Sequence, residues 1–227
     1  MGFPFKDYMI FSHISPEYEK LHLPHDNGAY WYSKDLVERI VPHIKTDRDW
    51  VLINVKNQCV DRAIVFIHEC RNFNYYDWLK PYKDLILVCS HPIVVEALIK
   101  KFPKFHIIYL PLSIDLDYVK QFKVKRKSKN KCFFGRLSKC PSDLLKDETV
   151  DKLYGEREAL LKEVAKYKTV YANGRCAVEA LALGCKIINP YNEIREVNVI
   201  DNKQVITELQ RLINEIDMKG ESNNDAS

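Results

Sequence analysis

The sequence predicts an α/β protein made of two lobes, each built on a parallel sheet. In the first half, four apolar runs of strand length alternate with helical segments, at 51–55, 63–68, 85–90 and 107–112. Continuous apolar strands separated by helices are typical of a parallel sheet that is covered on both faces. The same alternation resumes with shorter runs at 132–135, 169–172 and 186–189.

Length and composition are consistent with a folded protein of this class. At about 150 residues per domain, a chain of 227 residues holds one large domain or two small ones. Hydrophobic residues make up 46% and charged residues 29%, which excludes the composition of a disordered chain. The net charge of +4 is too small to indicate nucleic acid or a membrane by itself.

A change in composition divides the chain. Seven of the twelve residues at 120–131 are Lys or Arg, which predicts a solvated linker. The spacing of Val205, Leu209, Leu212 and Ile216 predicts a last amphipathic helix. The predicted organisation is an N-terminal lobe at 1–118, a basic linker at 119–131, a C-terminal lobe at 132–218 and a disordered tail at 219–227.

The early part of the first lobe adds two elements. The apolar run at 8–11 predicts a first strand, and the spacing of Leu36, Val37, Ile40, Val41 and Ile44 predicts a helix.

Cysteine usage predicts a cytoplasmic protein without a metal site. The seven cysteines are an odd number, contain no C-x-x-C pair and fall partly inside apolar runs. This pattern favours reduced, buried thiols over disulfides or zinc ligands. No apolar window reaches transmembrane length and no basic segment precedes a long apolar stretch, so neither a signal peptide nor a membrane span is expected.

Polar residues that directly follow strands are the first candidates for a site, because ligands of open parallel sheets bind beyond the carboxyl ends of the strands. Four segments qualify: His68–Glu69, Ser90–His91, Gly135–Arg136 and Asn173–Arg175. The two in the second lobe offer cations and backbone N–H groups, which suit a phosphate.

Residues 171–189 carry the clearest local signal. A strand end and an Asn-Gly turn precede a helix that stops at Gly184. Asn173 is a candidate N-cap, Gly174 lets a ligand approach the backbone, and the helix N-terminus attracts anions. Glu179, one turn later, can accept hydrogen bonds from a ribose diol, or it complements the helix dipole.

These residues resemble the nucleotide-sugar site of GT-B glycosyltransferases of the retaining E-x7-E type. The matching positions are Gly174, Glu179, Ala180, Ala182 and Gly184. Two further segments, LPLSID at 110–115 and CFFGRL at 132–137, resemble the family's exit from its first lobe and opening of its second. The resemblance covers about residues 50–190. It implies two Rossmann-like lobes with a ligand cleft between them, the second lobe being abbreviated.

The resemblance also implies roles for individual residues. Arg136 would neutralise the donor diphosphate and stabilise its charge in catalysis, helped by Lys139, the lysine nearest to the family's usual position. Gly174 and Arg175 would hold the phosphates, and Glu179 would bind the ribose. Tyr171 stands in the donor site where the family has the first Glu, which contacts the transferring sugar.

In the first lobe, the resemblance places His68 near the sugar. His68 would orient a hydroxyl or assist the acceptor's proton loss, with Glu69 tuning it; a hydrogen-bonded strand-end histidine is the alternative. Asn27, Gly28 and His91 are acceptor-side candidates, although His91 also suits a helix cap.

The predicted function is transfer of a sugar from a nucleoside-diphosphate sugar to a glycan, a lipid-linked intermediate or modified DNA. The nucleotide sugar is a co-substrate, and no cofactor or metal is expected. One alternative is a catalytically inactive GT-B-like protein that binds a nucleotide or nucleotide sugar. Another is a different α/β enzyme that acts on phosphorylated sugars.

The basic segment has two interpretations. Its cations, Lys123, Lys125, Arg126 and Lys127, could contact nucleic acid or an anionic surface. The alternative is a solvated linker.

Overall fold

The structure is a computed structural model that describes residues 35–53, 59–67, 73–191 and 197–224. Its described residues form an α/β protein with two parallel sheets of four strands each, so the predicted class is confirmed. The chain divides into two compact units. The first unit holds described residues of 36–111 and 203–224, and the second holds Asp35 and described residues of 112–202. The strand predicted at 8–11 lies outside the described residues.

The first sheet follows the predicted apolar runs. Its strands pair in the order β1–β2–β3–β4. Every residue of β2 and β3 is buried, as expected for parallel strands with both faces covered. The strands are β1 (Asp49–Ile53), β2 (Ala63–Ile67), β3 (Ile86–Cys89) and β4 (His106–Tyr109).

Helix α1 (Pro92–Lys101) covers this sheet. Pro92 suits the first turn because the N–H it lacks would have no partner inside the helix. The helix ends before Phe102, the residue that precedes Pro103, since proline disfavours helical backbone at the position before it. Val94 and Leu98 of α1 belong to the buried cluster that includes Val65 and Leu87 of the strands.

Shorter helical turns complete the early part of this unit. The helix predicted around residues 36–44 is a π-helical turn at Leu36–Ile40 followed by a 3-10 turn at Val41–His43. A further 3-10 helix spans Phe73–Leu79.

Helix α6 (Asn202–Asn224) returns the chain to the first unit. The predicted amphipathic helix is therefore present, but it groups with the first sheet and continues through 219–224, where a tail was expected. Its buried hydrophobic residues, among the side chains that the structure describes, are Val205, Leu209 and Ile213, spaced four apart. Ile213 takes the place predicted for Leu212, because two successive four-residue steps from Val205 keep these side chains on one face.

The second sheet pairs its strands in the order β6–β5–β7–β8, all parallel. Strand β6 has three residues and no apolar run, so the sequence analysis did not predict it. The strands are β5 (Lys129–Phe134), β6 (Asp151–Leu153), β7 (Tyr167–Tyr171) and β8 (Lys186–Ile188). The helices of this unit are α2 (Leu116–Lys120), α3 (Ser142–Lys146), α4 (Arg157–Val164) and α5 (Gly174–Ala182), with a 3-10 turn at Leu137–Lys139.

The basic segment lies within the second unit. Val119 is buried in the core of the second unit, and Phe122 and Val124 pack against that core. The last residues of the segment already belong to strand β5, which begins at Lys129. Apolar residues thus recur among the lysines. The sequence analysis did not predict them as core residues because the segment as a whole has low hydrophobicity.

Lys127 is anchored at the ends of two helices. Its Nζ donates to the carbonyl oxygens of Ala165, at 2.7 Å, and Leu183, at 2.8 Å, the residues that cap α4 and α5. A cation is favourable there because helix C-termini carry partial negative charge.

Helix α5 ends at Gly184, as predicted. Gly184 has φ +79°, its N–H donates to Leu181 O, and the N–H of Cys185 donates to Ala180 O. These two bonds form a Schellman motif, which favours glycine at the left-handed position.

The six described cysteines are all free thiols, and Cys59, Cys89, Cys132 and Cys185 are buried. No helix within the described ranges is long and apolar enough to cross a bilayer.

Arg48 is a buried cation that ties three parts of the first unit together. Its Nε and Nη2 donate to Asp217 of α6 at 2.9 and 2.7 Å. Its Nη1 and Nη2 donate to the carbonyl and carboxylate oxygens of Asp84 at 2.8 and 3.0 Å. The side chain is 2% exposed, so these bonds replace its lost hydration.

We expect Arg48→Ala to lower the free energy of unfolding by about 3 kcal/mol, because the half-buried carboxylate of Asp217 loses its cation and the carbonyl of Asp84 loses a hydrogen bond. Arg62→Ala is the matched control, since Arg62 also contacts Asp84 but is 48% exposed. The control should lose about 0.5 kcal/mol. Urea denaturation measures both, and equal losses would contradict this role of Arg48.

Candidate functional site

The strand order of the second sheet changes direction between β5 and β7. The chain passes from β5 to β6 on one side and then to β7 on the other side of β5. In open α/β sheets, ligands bind outside the carboxyl ends of the strands at such a point, so the ends of these two strands are the candidate site.

The register shows which residues share this carboxyl edge. Phe133 of β5 pairs with Tyr171 of β7, and Phe134 pairs with Leu153 of β6. The segments Gly135–Arg136 and Asn173–Arg175, both singled out in the sequence, therefore follow neighbouring strands. Tyr154 follows the strand on the other side of β5.

The N-terminus of α5 is one wall of the candidate site. Asn173 occupies the predicted N-cap position and is extended there, but its side chain makes no capping hydrogen bond to the described residues. The first N–H groups of a helix have no partner within it, and the helix dipole makes this end attractive to anions.

Gly174 keeps this end of the helix open. It has φ +56°, and a Cβ placed on it would meet no described heavy atom within 4 Å. A ligand can therefore approach the backbone closely at this position.

The loop after β5 is the opposite wall. Arg136 is exposed and precedes the 3-10 turn Leu137–Lys139, whose Lys139 N–H donates to Arg136 O at 2.9 Å. Tyr191 Oη donates to Lys139 O at 2.8 Å. Because Tyr191 follows β8, this bond joins two loops across the carboxyl end of β7.

Three tyrosines line the same edge. Tyr171, the last residue of β7, is half-buried, and Tyr191 is 36% exposed. Tyr154 is 73% exposed, an unusual state for an aromatic residue directly after a strand. Sequence analysis missed Tyr154 because β6 was not predicted.

Arg175 and Glu179 form a buried ion pair. Arg175 Nε donates to Glu179 Oε1 at 2.8 Å, and its Nη2 donates to Asp35 Oδ2. Burial would lower the pKa of Arg175, but Glu179 and Asp35 together raise it above its ordinary value.

A second arginine completes this network. Arg157, the first residue of α4, donates from Nη2 to the same Oε1 of Glu179 at 2.5 Å. Two guanidinium groups thus balance the carboxylates of Glu179 and Asp35. The Glu179 side chain is only 3% exposed. The Glu179 carboxylate and the Arg175 guanidinium group both bind protein partners in this structure. The ribose contact of Glu179 and the phosphate contact of Arg175 therefore stay predictions.

Asp35 and Arg157 were not found from the sequence. Asp35 lies 140 positions from Arg175, and Arg157 lies 22 positions from Glu179. Neither separation leaves a local pattern, so no spacing rule could identify these partners.

Of the catalytic and acceptor-side candidates in the first lobe, His91 alone lies among the described residues. His68, Glu69, Asn27 and Gly28 lie outside the described residues. His91 occupies the N-cap position of α1, and its carbonyl oxygen accepts from Val95 N at 3.0 Å.

Cys176 lies in the first turn of α5. Burial raises its pKa to about 12, with the charge of Glu179 acting in the same direction. Within the described ranges, no group of three or more His, Cys, Asp or Glu residues could hold a metal ion.

Comparison with protein-family models, with curated proteins and with solved structures finds no match to this chain.

We expect Glu179→Gln to lower the free energy of unfolding by about 3 kcal/mol, because two arginines would lose their shared buried carboxylate. Glu158→Gln is the matched control. Glu158 also accepts a hydrogen bond from a cation, Lys162, at 2.5 Å, but its side chain is 59% exposed. It should lose about 0.4 kcal/mol. Similar small losses in both variants, measured in urea, would show that the network is not a stabilising element.

Proposed function

We propose that the second unit binds the diphosphate of a nucleotide sugar and that the protein is a glycosyltransferase. The observation that carries the proposal is the change of strand order between β5 and β7. It sets the Arg136 loop beside the N-terminus of α5, so a cation and the N–H groups of the first helical turn lie at the same edge of the sheet.

Both walls suit phosphate oxygens. A guanidinium group can donate two parallel hydrogen bonds to a phosphate, and helix N–H groups add further donors. The same groups would stabilise the charge that grows on the departing nucleoside diphosphate. The chemistry of Arg136 and α5 therefore serves both binding and departure of the leaving group.

Tyr154 supports a nucleotide rather than a simple phosphate. It follows β6, the strand beside β5, and exposes 73% of its surface. An exposed aromatic ring can stack on a base or a sugar ring, which is favourable because both partners bury apolar surface.

Binding without catalysis is a second candidate, and two observations favour it. Tyr171 stands where the resemblance expects a carboxylate against the transferring sugar; its phenol can donate and accept hydrogen bonds, whereas a carboxylate only accepts them. Oε1 of Glu179 is held by two arginines.

We expect Arg136→Gln to weaken binding of a nucleoside diphosphate about 10-fold or more, because a charge-assisted hydrogen bond is lost. Isothermal titration with ADP, GDP and UDP measures the effect. Arg62→Gln makes the same change of charge at an exposed site in the first unit and should leave affinity unchanged.

Two results would contradict the proposed site: no nucleoside diphosphate binds, or Arg136→Gln and Arg62→Gln bind it equally well. Turnover separates the two candidates. A glycosyltransferase releases nucleoside diphosphate from its donor when an acceptor is added, whereas a binding protein holds the donor and releases none.

Gly174→Ala should also weaken nucleoside-diphosphate binding, because its methyl group would occupy the open approach to α5. Gly184→Ala is the matched control, since Gly184 lies at the other end of the same helix and also has positive φ. Both variants should lose about 1 to 2 kcal/mol of stability from backbone strain. Only Gly174→Ala should lose affinity, and equal affinity in the two variants would contradict an approach over Gly174.

A further inference from the structure

The amino edge of the second sheet carries cations that the proposed site does not use. Each of these side chains is exposed. We call this set the basic edge: Lys123, Lys125, Arg126, Lys168 and Lys186.

Several contacts bring the basic edge together. Lys186 begins β8 and pairs in register with Thr169, the residue after Lys168. Gly184 lies two residues before Lys186. The Cε atom of Lys123 lies 3.4 Å from the position that a Cβ atom on Gly184 would occupy. Lys125 and Arg126 lie between Lys123 and Lys127 in the sequence. Lys127 is fixed in place because its Nζ donates a hydrogen bond to the carbonyl oxygen of Leu183.

Compensation of helix dipoles does not explain this charge. The C-termini of α4 and α5 each carry about half a negative charge, and Lys127 already donates to both. Lys129 and Lys166 pair with Glu163. None of the five basic-edge cations forms an ion pair within the described ranges. They carry five positive charges, while the whole chain has a net charge of +4.

The surroundings favour phosphates over lipids or bases. The exposed large hydrophobic residues of the second unit, within the described ranges, are Leu145, Tyr154 and Tyr191, and none belongs to this edge. Interfacial membrane binding usually adds apolar side chains that insert between lipids. Binding of single strands relies on aromatic rings that stack on bases.

We propose that the basic edge binds the phosphate backbone of a duplex nucleic acid without reading its sequence. Lysine is a compact point charge that neutralises phosphates but carries little base specificity, and four of the five cations are lysines. Lys168 and Lys186 lie at the amino ends of the neighbouring strands β7 and β8, and the other three cations lie in the segment that leads into β5, so all five lie at one end of the sheet.

This proposal does not depend on the proposed function. The basic edge and the candidate site lie at opposite ends of the same strands, and the five residues of β7 extend about 17 Å. Duplex binding and nucleotide binding can therefore be measured separately.

The test is the salt dependence of binding to a fluorescent duplex DNA of about 20 base pairs. Five phosphate contacts predict a slope of log affinity against log salt of about −4.5, a loss of about 500-fold between about 50 and 200 mM salt. The triple variant Lys125→Gln, Arg126→Gln, Lys186→Gln should bind more weakly, with a slope of about −1.8. Thermal unfolding checks that it is folded.

The matched control is Lys45→Gln, Lys83→Gln, Lys100→Gln, which removes three exposed cations from the first unit. It should keep the affinity and slope of the unmodified protein. Equal effects of the two triple variants, or no duplex binding, would overturn the proposal. Tighter binding to single strands would overturn it too, as would binding only to vesicles of phosphatidylglycerol and phosphatidylcholine.

Discussion

Parallel pairing is the constraint on which both ends of the second sheet depend. Parallel strands need crossover connections, so every strand of this sheet ends at the same edge. Helix α5, which connects β7 to β8, begins at that edge and ends at the other. The carboxyl edge thus receives a helix N-terminus, with Arg136 nearby, and the amino edge receives helix C-termini and Lys127. Parallel pairing therefore gives the sheet two different edges. Backbone N–H groups attract anions at the carboxyl edge, and cationic side chains balance the helix C-termini at the amino edge.

Buried arginines stabilise both units by the same means. Arg48 holds Asp84 and Asp217 in the first unit, and Arg175 holds Glu179 and Asp35 in the second. A guanidinium group can serve several acceptors at once, which makes burial of its charge tolerable. In the second unit, Arg175 and Glu179 of α5 join this network to Arg157 of α4 and to Asp35. The position of the helix N-terminus therefore depends on charges that bind one another within the protein.

Sequence analysis was most successful where local patterns decide the structure. The apolar runs of β2 and β3 and the glycine stop of α5 follow from burial and backbone preference. It failed where distant partners decide. Asp35 meets a residue 140 positions away, and the basic segment joins the second core through Phe122 and Val124. Strand β6 is too short and polar to give a periodic signal, so Tyr154 was not recognised as an edge residue. The roles of Arg136 and Gly174 stay predictions, although both residues follow neighbouring strands at the carboxyl edge of the sheet.

The contact between Arg48 and Asp217 also has a consequence for biosynthesis. These residues are separated by 169 positions, and the described residues of 112–202 between them belong to the second unit. Arg48 is synthesised early and Asp217 late, so the first sheet has no contact with α6 until the second unit has been translated. Domains commonly fold as units during synthesis, the N-terminal one first. In this chain the second unit is the one whose described residues are complete before α6 emerges, and the first unit closes last.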